Sequence, residues 1–235
     1  MKAPLILLPG MMCDARLFAP QIGPLSALGP VSVADLGGAD SIAALARGIW
    51  HTAPPRAALA GLSMGGIVAM EMLRQAPERV AGLALMDTNP LAETDEAKAR
   101  RNPQMDKARA GRLDAVMRDE MKPNYLTDGP RRDEILALCM EMALDLGPEV
   151  FCRQSRALRD RPDQTGTLAA YHGPALILCG RDDALCPVAR HELMHGLMPG
   201  SRLTVIEGAG HLPTLEQPDQ TTAALMRWRE ETEHG

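Results

Sequence analysis

The segment Gly61-Leu62-Ser63-Met64-Gly65-Gly66 sets a hydroxyl among glycines, directly after an apolar run and directly before a helix-like pattern. A Gly-x-Ser-x-Gly turn between strand and helix exposes its serine at the carboxyl end of a sheet. The turn is sharp and the nucleophile's backbone strained, so side chains at Gly61 or Gly65 would collide across it. The helix that follows turns its positive dipole end toward the serine, where negative charge develops during attack. The five-residue pattern recurs by chance in unrelated chains; the flanking strand and helix make Ser63 the candidate nucleophile.

A serine hydroxyl needs a base. Of His51, His172, His191, His195, His211 and His234, only His211 lies in a turn directly after a buried strand candidate near the C-terminus, in Ile206-Glu207-Gly208-Ala209-Gly210-His211-Leu212-Pro213. The base in turn needs a carboxylate to accept its Nδ1–H, fix its tautomer and stabilise the imidazolium. The loop after the preceding strand, Gly180-Arg181-Asp182-Asp183-Ala184-Leu185-Cys186-Pro187, offers two adjacent aspartates, and spacing does not choose between them. The other would form a turn or cap a helix. This chain order, Ser…Asp…His, is one in which such triads occur. An oxyanion hole needs two backbone N–H groups: Met64, after the nucleophile, and Met11, in Pro9-Gly10-Met11-Met12-Cys13 after the first strand. Gly10 lets that loop turn tightly and is expected to tolerate little change.

The elements that must hold these residues are legible as alternation. Strand candidates at 5–8, 31–34, 57–60, 83–86, 175–179 and 203–206 are short apolar runs of the kind buried on both faces of a parallel sheet. Helix candidates lie between them: one capped by Ser41 and running to Trp50, one at 65–75 closed by Pro77, one at 188–198 stopped by Pro199-Gly200, and one at 217–233. From 89 to 165 no strand candidate occurs. Ile135, Leu138, Cys139, Met142 and Leu146 form an apolar helix stripe there, and Gly147-Pro148 ends that helix and starts another reaching about Arg159. An insertion this long needs structure of its own and reads as a helical cap.

Together these residues resemble the α/β-hydrolase fold superfamily, in particular its small lidded serine hydrolases of the esterase and enol-lactonase kind. The carriers are Gly61-Leu62-Ser63-Met64-Gly65-Gly66, Gly180-x-x-Asp183-x-x-x-Pro187 and Gly210-His211-x-x-x-x-Glu216-x-Pro218, spread in order over the whole chain. The resemblance implies a three-layer αβα sandwich with a mostly parallel sheet of about six strands, Asp183 rather than Asp182 as the triad acid, and a core of 1–88 and 166–235 with residues 89–165 as the lid. Arg161-Pro162-Asp163, at the end of that lid, is similar to a segment of many small members. Two departures stand out. Pro9-Gly10 replaces the His-Gly common in the oxyanion loop, and the sequence opens at the strand feeding that loop, so the two leading strands of the full fold have no counterpart.

Composition narrows the partners. The chain has 235 residues, 46% hydrophobic and 23% charged, which suits one soluble domain with a full core. A net charge of −5 argues against binding a nucleic-acid backbone. Five scattered cysteines without a CxxC pair argue against a disulfide framework or a zinc site, and for reduced thiols. A four-residue apolar run near the start is too short for a signal peptide, and no run approaches a membrane span, so a cytoplasmic protein is expected. No dinucleotide or phosphate-binding glycine motif and no metal-spaced cluster occurs, so no cofactor and no metal are expected.

The expected substrate is a small ester, thioester or lactone hydrolysed through an acyl-enzyme. The same triad also serves C–C bond hydrolysis, perhydrolysis and acyl transfer, and a non-catalytic ligand-binding protein is a further alternative. With 3% aromatics and 15 methionines, an aliphatic, adaptable pocket is expected, Met11, Met12 and Met64 flanking the oxyanion region. Arg100, Arg101, Arg109, Arg112 and Arg118 in the insertion read as solvated helix faces, with a carboxylate-binding arginine as the sharper alternative.

Overall fold

Six short aliphatic runs become six parallel strands. In the computed structural model, which describes residues 2–232, β1 (Leu5–Leu8), β2 (Val31–Val33), β3 (Ala57–Leu62), β4 (Val80–Met86), β5 (Ala175–Gly180) and β6 (Arg202–Ile206) form one sheet in the order β2-β1-β3-β4-β5-β6. Every neighbouring pair is parallel. Because side chains alternate across a strand, Ile6, Leu8, Leu59, Leu85 and Ile177 enter one core and Leu5, Leu7, Ala60, Ala84 and Leu178 the other. β1, β3, β4 and β5 are buried throughout, whereas β2 and β6 stand at the edges, have one neighbour each and are only partly buried. The expectation of two-sided burial thus fails for the edge strands.

The main helices are α1 (Ala19–Ser26), α2 (Ile42–Thr52), α3 (Met64–Gln75), α4 (Asp95–Lys107), α5 (Arg132–Arg159), α6 (Val188–Leu197) and α7 (Pro218–Glu231). Helices α2, α3 and α6 supply the first core with Ile42, Leu45, Trp50, Val68, Met72 and Met194. Helices α1 and α7 supply the second with Leu25, Leu225 and Trp228. Ser41 caps α2 as expected, its Oγ accepting from Ala44 N at 3.3 Å. The expected helix at 217–233 is α7, which begins at Pro218, a residue with no N–H that suits a helix start, and a separate helical turn at Pro213–Glu216 precedes it; the last expected residue, Glu233, lies outside the described residues. Helix α1 was not legible, since Pro20, Gly23 and Pro24 interrupt its pattern.

Between β4 and β5, residues 89–165 form no strand. Thr94 Oγ1 caps α4 through Ala97 N, irregular helical turns follow, and α5 breaks at Gly147 (φ 79°, ψ 174°) into the two expected pieces. Ile135, Cys139 and Met142 are buried, while Leu138 and Leu146 are only partly so. Among the described residues no helix is long and apolar enough to cross a membrane.

A parallel sheet turns all its strand ends one way, so the loops after β1, β3, β4, β5 and β6 meet at a single edge. How closely they meet is set by glycines. A Cβ on Gly65 would lie 1.9 Å from the Leu8 carbonyl oxygen, and one on Gly61 would lie 2.3 Å from the Gly65 carbonyl oxygen. Gly10 has more room: the nearest atom to a Cβ there, in the Leu62 side chain, is 3.5 Å away, an ordinary contact. Ordinary overpacking costs ~1–3 kcal/mol, and a backbone-to-backbone clash cannot relax by rotating a side chain. Gly65→Ala should therefore lower the midpoint of thermal unfolding by ~6 °C or more, and Gly10→Ala by less than ~2 °C, measured by circular dichroism. Equal shifts for the two variants would contradict this packing.

Candidate active site

Ser63 follows β3 and precedes α3 with φ 54° and ψ −116°, a left-handed backbone that only a rigid frame sustains in a non-glycine residue. The frame is visible. Ser63 N–H donates to Met86 O at 2.8 Å, and Thr88 Oγ1 donates to Ser63 O at 2.7 Å. Ser63 Oγ lies 2.9 Å from His211 Nε2, and His211 Nδ1 lies 2.8 Å from Asp183 Oδ2. Asp183 Oδ1 accepts from Leu185 N at 2.8 Å and Cys186 N at 3.0 Å. Asp182 is exposed and points elsewhere; its backbone N–H donates to Ala209 O.

Charge fixes the tautomer. Burial alone would raise the Asp183 pKa, but His211 and the two backbone donors outweigh it and hold the carboxyl at about 2. An ionised carboxylate only accepts, so His211 Nδ1 carries the hydrogen and Nε2 is left to accept from the serine hydroxyl. Asp87, fully buried at the end of β4, has the opposite fate: burial and then the neighbouring Asp183 raise its pKa well above the carboxylate range. Its Oδ1 accepts a single hydrogen bond, from Gly180 N at 2.9 Å. A second histidine, His191, is also buried, which lowers its pKa to about 4. Its Nδ1–H donates to Pro187 O and its Nε2 accepts from Thr88 N, so it braces the residue that holds the Ser63 carbonyl.

The loop after β1 lies against this centre, with Gly10 packed beside Leu62 and Ser63. Neither Met11 N nor Met64 N has a hydrogen-bond partner among the described residues. Met12 is left-handed (φ 55°), and its N–H is held by Gln154 Oε1 at 2.8 Å. Met11 and Met64 line a pocket with Ser63, and Met12 is packed in the core.

That pocket, about 300 Å³, is lined by Met11, Met64, Ile67, Met121, Leu158 and Leu185 but also by Glu93, Arg100, Arg101, Glu120 and Arg161. The aliphatic side chains expected are present, but charged side chains of the insertion form part of the wall as well. Arg109 and Arg118, by contrast, pair with exposed aspartates as solvated faces do. Asp183, Cys186 and His211 bring their ligand atoms within 4.8 Å of one another, the one such cluster among the described residues. Two of the three are already bonded to each other, and burial with nearby carboxylates keeps the Cys186 thiol protonated, which makes it a poor metal ligand. All five cysteines are free.

Several supports gave no sequence signal of their function. Glu216, noted only as part of a motif, accepts from Gly210 N and Leu212 N with Oε2 and from Thr127 N and Oγ1 with Oε1, clasping the His211 loop to the insertion. Tyr125 O accepts from His211 N at 2.7 Å. Gln154, Thr88, Asp87 and His191 act from loops and helices distant in sequence.

The low Asp183 pKa carries a pH prediction. A carboxyl depressed from 3.8 to about 2 by folding stabilises the native state fully above pH 3.8 and loses that contribution as pH falls through 2. The unfolding free energy of Asp183→Asn, from urea denaturation, should therefore vary less over that interval than the wild type's. Equal slopes would mean that Asp183 is not held ionised.

The chain resembles known proteins over most of its length. Residues 7–225 match the alpha/beta hydrolase family. The pimeloyl-(acyl-carrier protein) methyl ester esterase of Neisseria meningitidis serogroup B is 28% identical over 94% of this chain and 90% of its own length. The biotin biosynthesis bifunctional protein BioHC of Cellvibrio japonicus is 26% identical over 96% of this chain, which spans 47% of that protein, about half its length. Among solved structures, a malate-bound thermophilic esterase from Thermogutta terrifontis aligns with a TM-score of 0.88 at 29% identity, covering 98% of this chain and 90% of that one. The enol-lactonase of Burkholderia xenovorans LB400 shares the fold, with a TM-score of 0.86 at 22% identity over 98% of this chain and 93% of its own. Over nearly its whole length, then, the chain belongs to the alpha/beta hydrolase family.

Proposed function

We propose that the chain hydrolyses a small carboxylic ester through an acyl-enzyme, and that thioesters and lactones fall within the same chemistry. The observation that carries this reading is the hydrogen-bonded line Asp183–His211–Ser63, with Ser63 and His211 in the wall of one pocket. Ser63 Oγ attacks the ester carbonyl while His211 Nε2 takes its proton. The charge on the carbonyl oxygen is met by the Met11 amide in the loop after β1 and the Met64 amide at the start of α3. The tetrahedral intermediate collapses, His211 returns the proton to the departing alkoxide, and the alcohol leaves. Water then repeats the sequence on the acyl-serine: His211 takes its proton, the acid is released and Ser63 regains its hydrogen. Asp183 stays ionised throughout and stabilises the imidazolium.

Residues 89–165 act in this reading as the lid, which shapes the pocket and buttresses the His211 loop through Tyr125 and Thr127. The esterase names of the relatives support the ester class. A fluorophosphonate probe should label Ser63 at neutral pH in the folded protein. Ser63→Ala should abolish labelling and reduce kcat on p-nitrophenyl butyrate by ~10⁶-fold, and Asp183→Asn by ~10⁴-fold. An unlabelled, folded wild type without esterase activity would refute the reading.

A further inference from the structure

Two guanidiniums in the pocket wall share one carboxylate. Arg101 Nε and Nη2 donate to Glu93 Oε2 at 3.1 and 2.5 Å, and Arg161 Nη1 donates to the same oxygen at 3.0 Å. These side chains are nearly out of solvent: Arg101 is 15% exposed, and Arg161 and Glu93 are each 8% exposed. Arg161 Nε is used on Leu91 O. Arg101 Nη1 and Arg161 Nη2 have no acceptor among the described residues, yet neither is among the sealed, unsatisfied polar atoms, so both keep some accessible surface, and both residues line the pocket.

The charge balance is lopsided. Arg100, Arg101 and Arg161 line the pocket against Glu93 and Glu120, and Glu120 is already paired with Lys107 at 2.7 Å. A cationic wall of this kind runs against a chain whose net charge is −5. If the cluster served only to tie the two ends of the insertion together, one guanidinium on Glu93 would suffice. A second one, desolvated and short of an anion, costs stability unless something of opposite charge visits it. Burial lowers the Arg161 pKa, Glu93 raises it and the adjacent Arg101 lowers it again, consistent with an incompletely compensated pair.

We infer that the insertion side of the pocket is a subsite for a carboxylate carried by the substrate, received by Arg101 Nη1 and Arg161 Nη2 while the ester carbonyl lies at Ser63. The substrate class is then the monoester of a small dicarboxylic acid. One guanidinium nitrogen from each side chain can donate a charge-assisted hydrogen bond to the two oxygens of a carboxylate, and a pocket of about 300 Å³, at the small end of ligand sites, keeps ester and carboxylate in one cavity. Arg100, more exposed, stands in the same wall and adds attraction for an incoming anion.

This inference rests on the esterase reading, and the test separates the two. Rates are measured with p-nitrophenyl butyrate and with mono-p-nitrophenyl glutarate, which differ chiefly in the terminal carboxylate. The wild type should favour the glutarate ester in kcat/KM by ~10-fold or more, and raising salt from ~0.02 to ~1 M should shrink that ratio. Arg101→Gln should lower the ratio ~10–100-fold through KM, whereas Glu93→Gln, which frees both guanidiniums, should raise it. A structural cluster would instead depress both substrates together in both variants. Should Arg101→Gln not fold, inhibition of the wild type decides: glutarate should compete with p-nitrophenyl butyrate ~10-fold more tightly than glutaramide. Hydrolysis of both esters with equal kcat/KM, equal inhibition by the two compounds, or a preference for a phosphate-bearing ester over the glutarate ester overturns the carboxylate subsite alone. Absence of any ester hydrolysis and of fluorophosphonate labelling overturns the esterase reading beneath it.

Discussion

Two carboxyl groups, Asp87 and Asp183, are buried side by side behind His211, where burial and the charge of Asp183 push the Asp87 pKa up while His211 and two backbone amides hold that of Asp183 down. The hydrogen bonds differ in the same sense. Asp183 accepts from two backbone amides and from His211, whereas Asp87 accepts from one amide and has an oxygen without a partner. The charge therefore sits on Asp183, the proton on Asp87. Everything outward follows from that placement: the Nδ1–H tautomer of His211, the availability of Nε2, and the hydrogen bond that Nε2 accepts from Ser63.

The helical insertion is tied into this chain of dependence rather than resting on it. Tyr125 O and the Thr127–Glu216 bonds hold the His211 loop, and Gln154 spans from Met12 N to Leu36 O, pinning the loop that presents Met11. The same segment supplies the arginines of the pocket wall. Residues that shape the pocket thus also position the groups around the serine. Substitutions in 89–165 are coupled to the centre through hydrogen bonds that a static cover would not need.

Much of the fold was legible because its signals are local. Each strand is a short aliphatic run, and Ser41, Pro77 and Gly147-Pro148 punctuate helices by their own backbone chemistry. Helix α1 was hidden because Pro20, Gly23 and Pro24 are poor helix formers whose placement is decided by packing on α7. The partial exposure of β2 and β6 was hidden because sheet order, not composition, makes a strand an edge.

For the site, the sequence by itself determined the local chemistry: a serine in a turn that only glycines at 61 and 65 allow, a histidine after the last strand, two aspartates after the strand before it. These are legible because a tight turn or a glycine-rich loop constrains residue types within a few positions. Only the tertiary structure decided which aspartate faces His211 by geometry, that Asp87 keeps its proton, that Gly10 has room for a methyl group, and that Arg101 and Arg161 converge on Glu93 in the pocket wall. Those outcomes depend on burial and on contacts between residues far apart in the chain, and neither quantity exists until the loops at the sheet edge have been brought together.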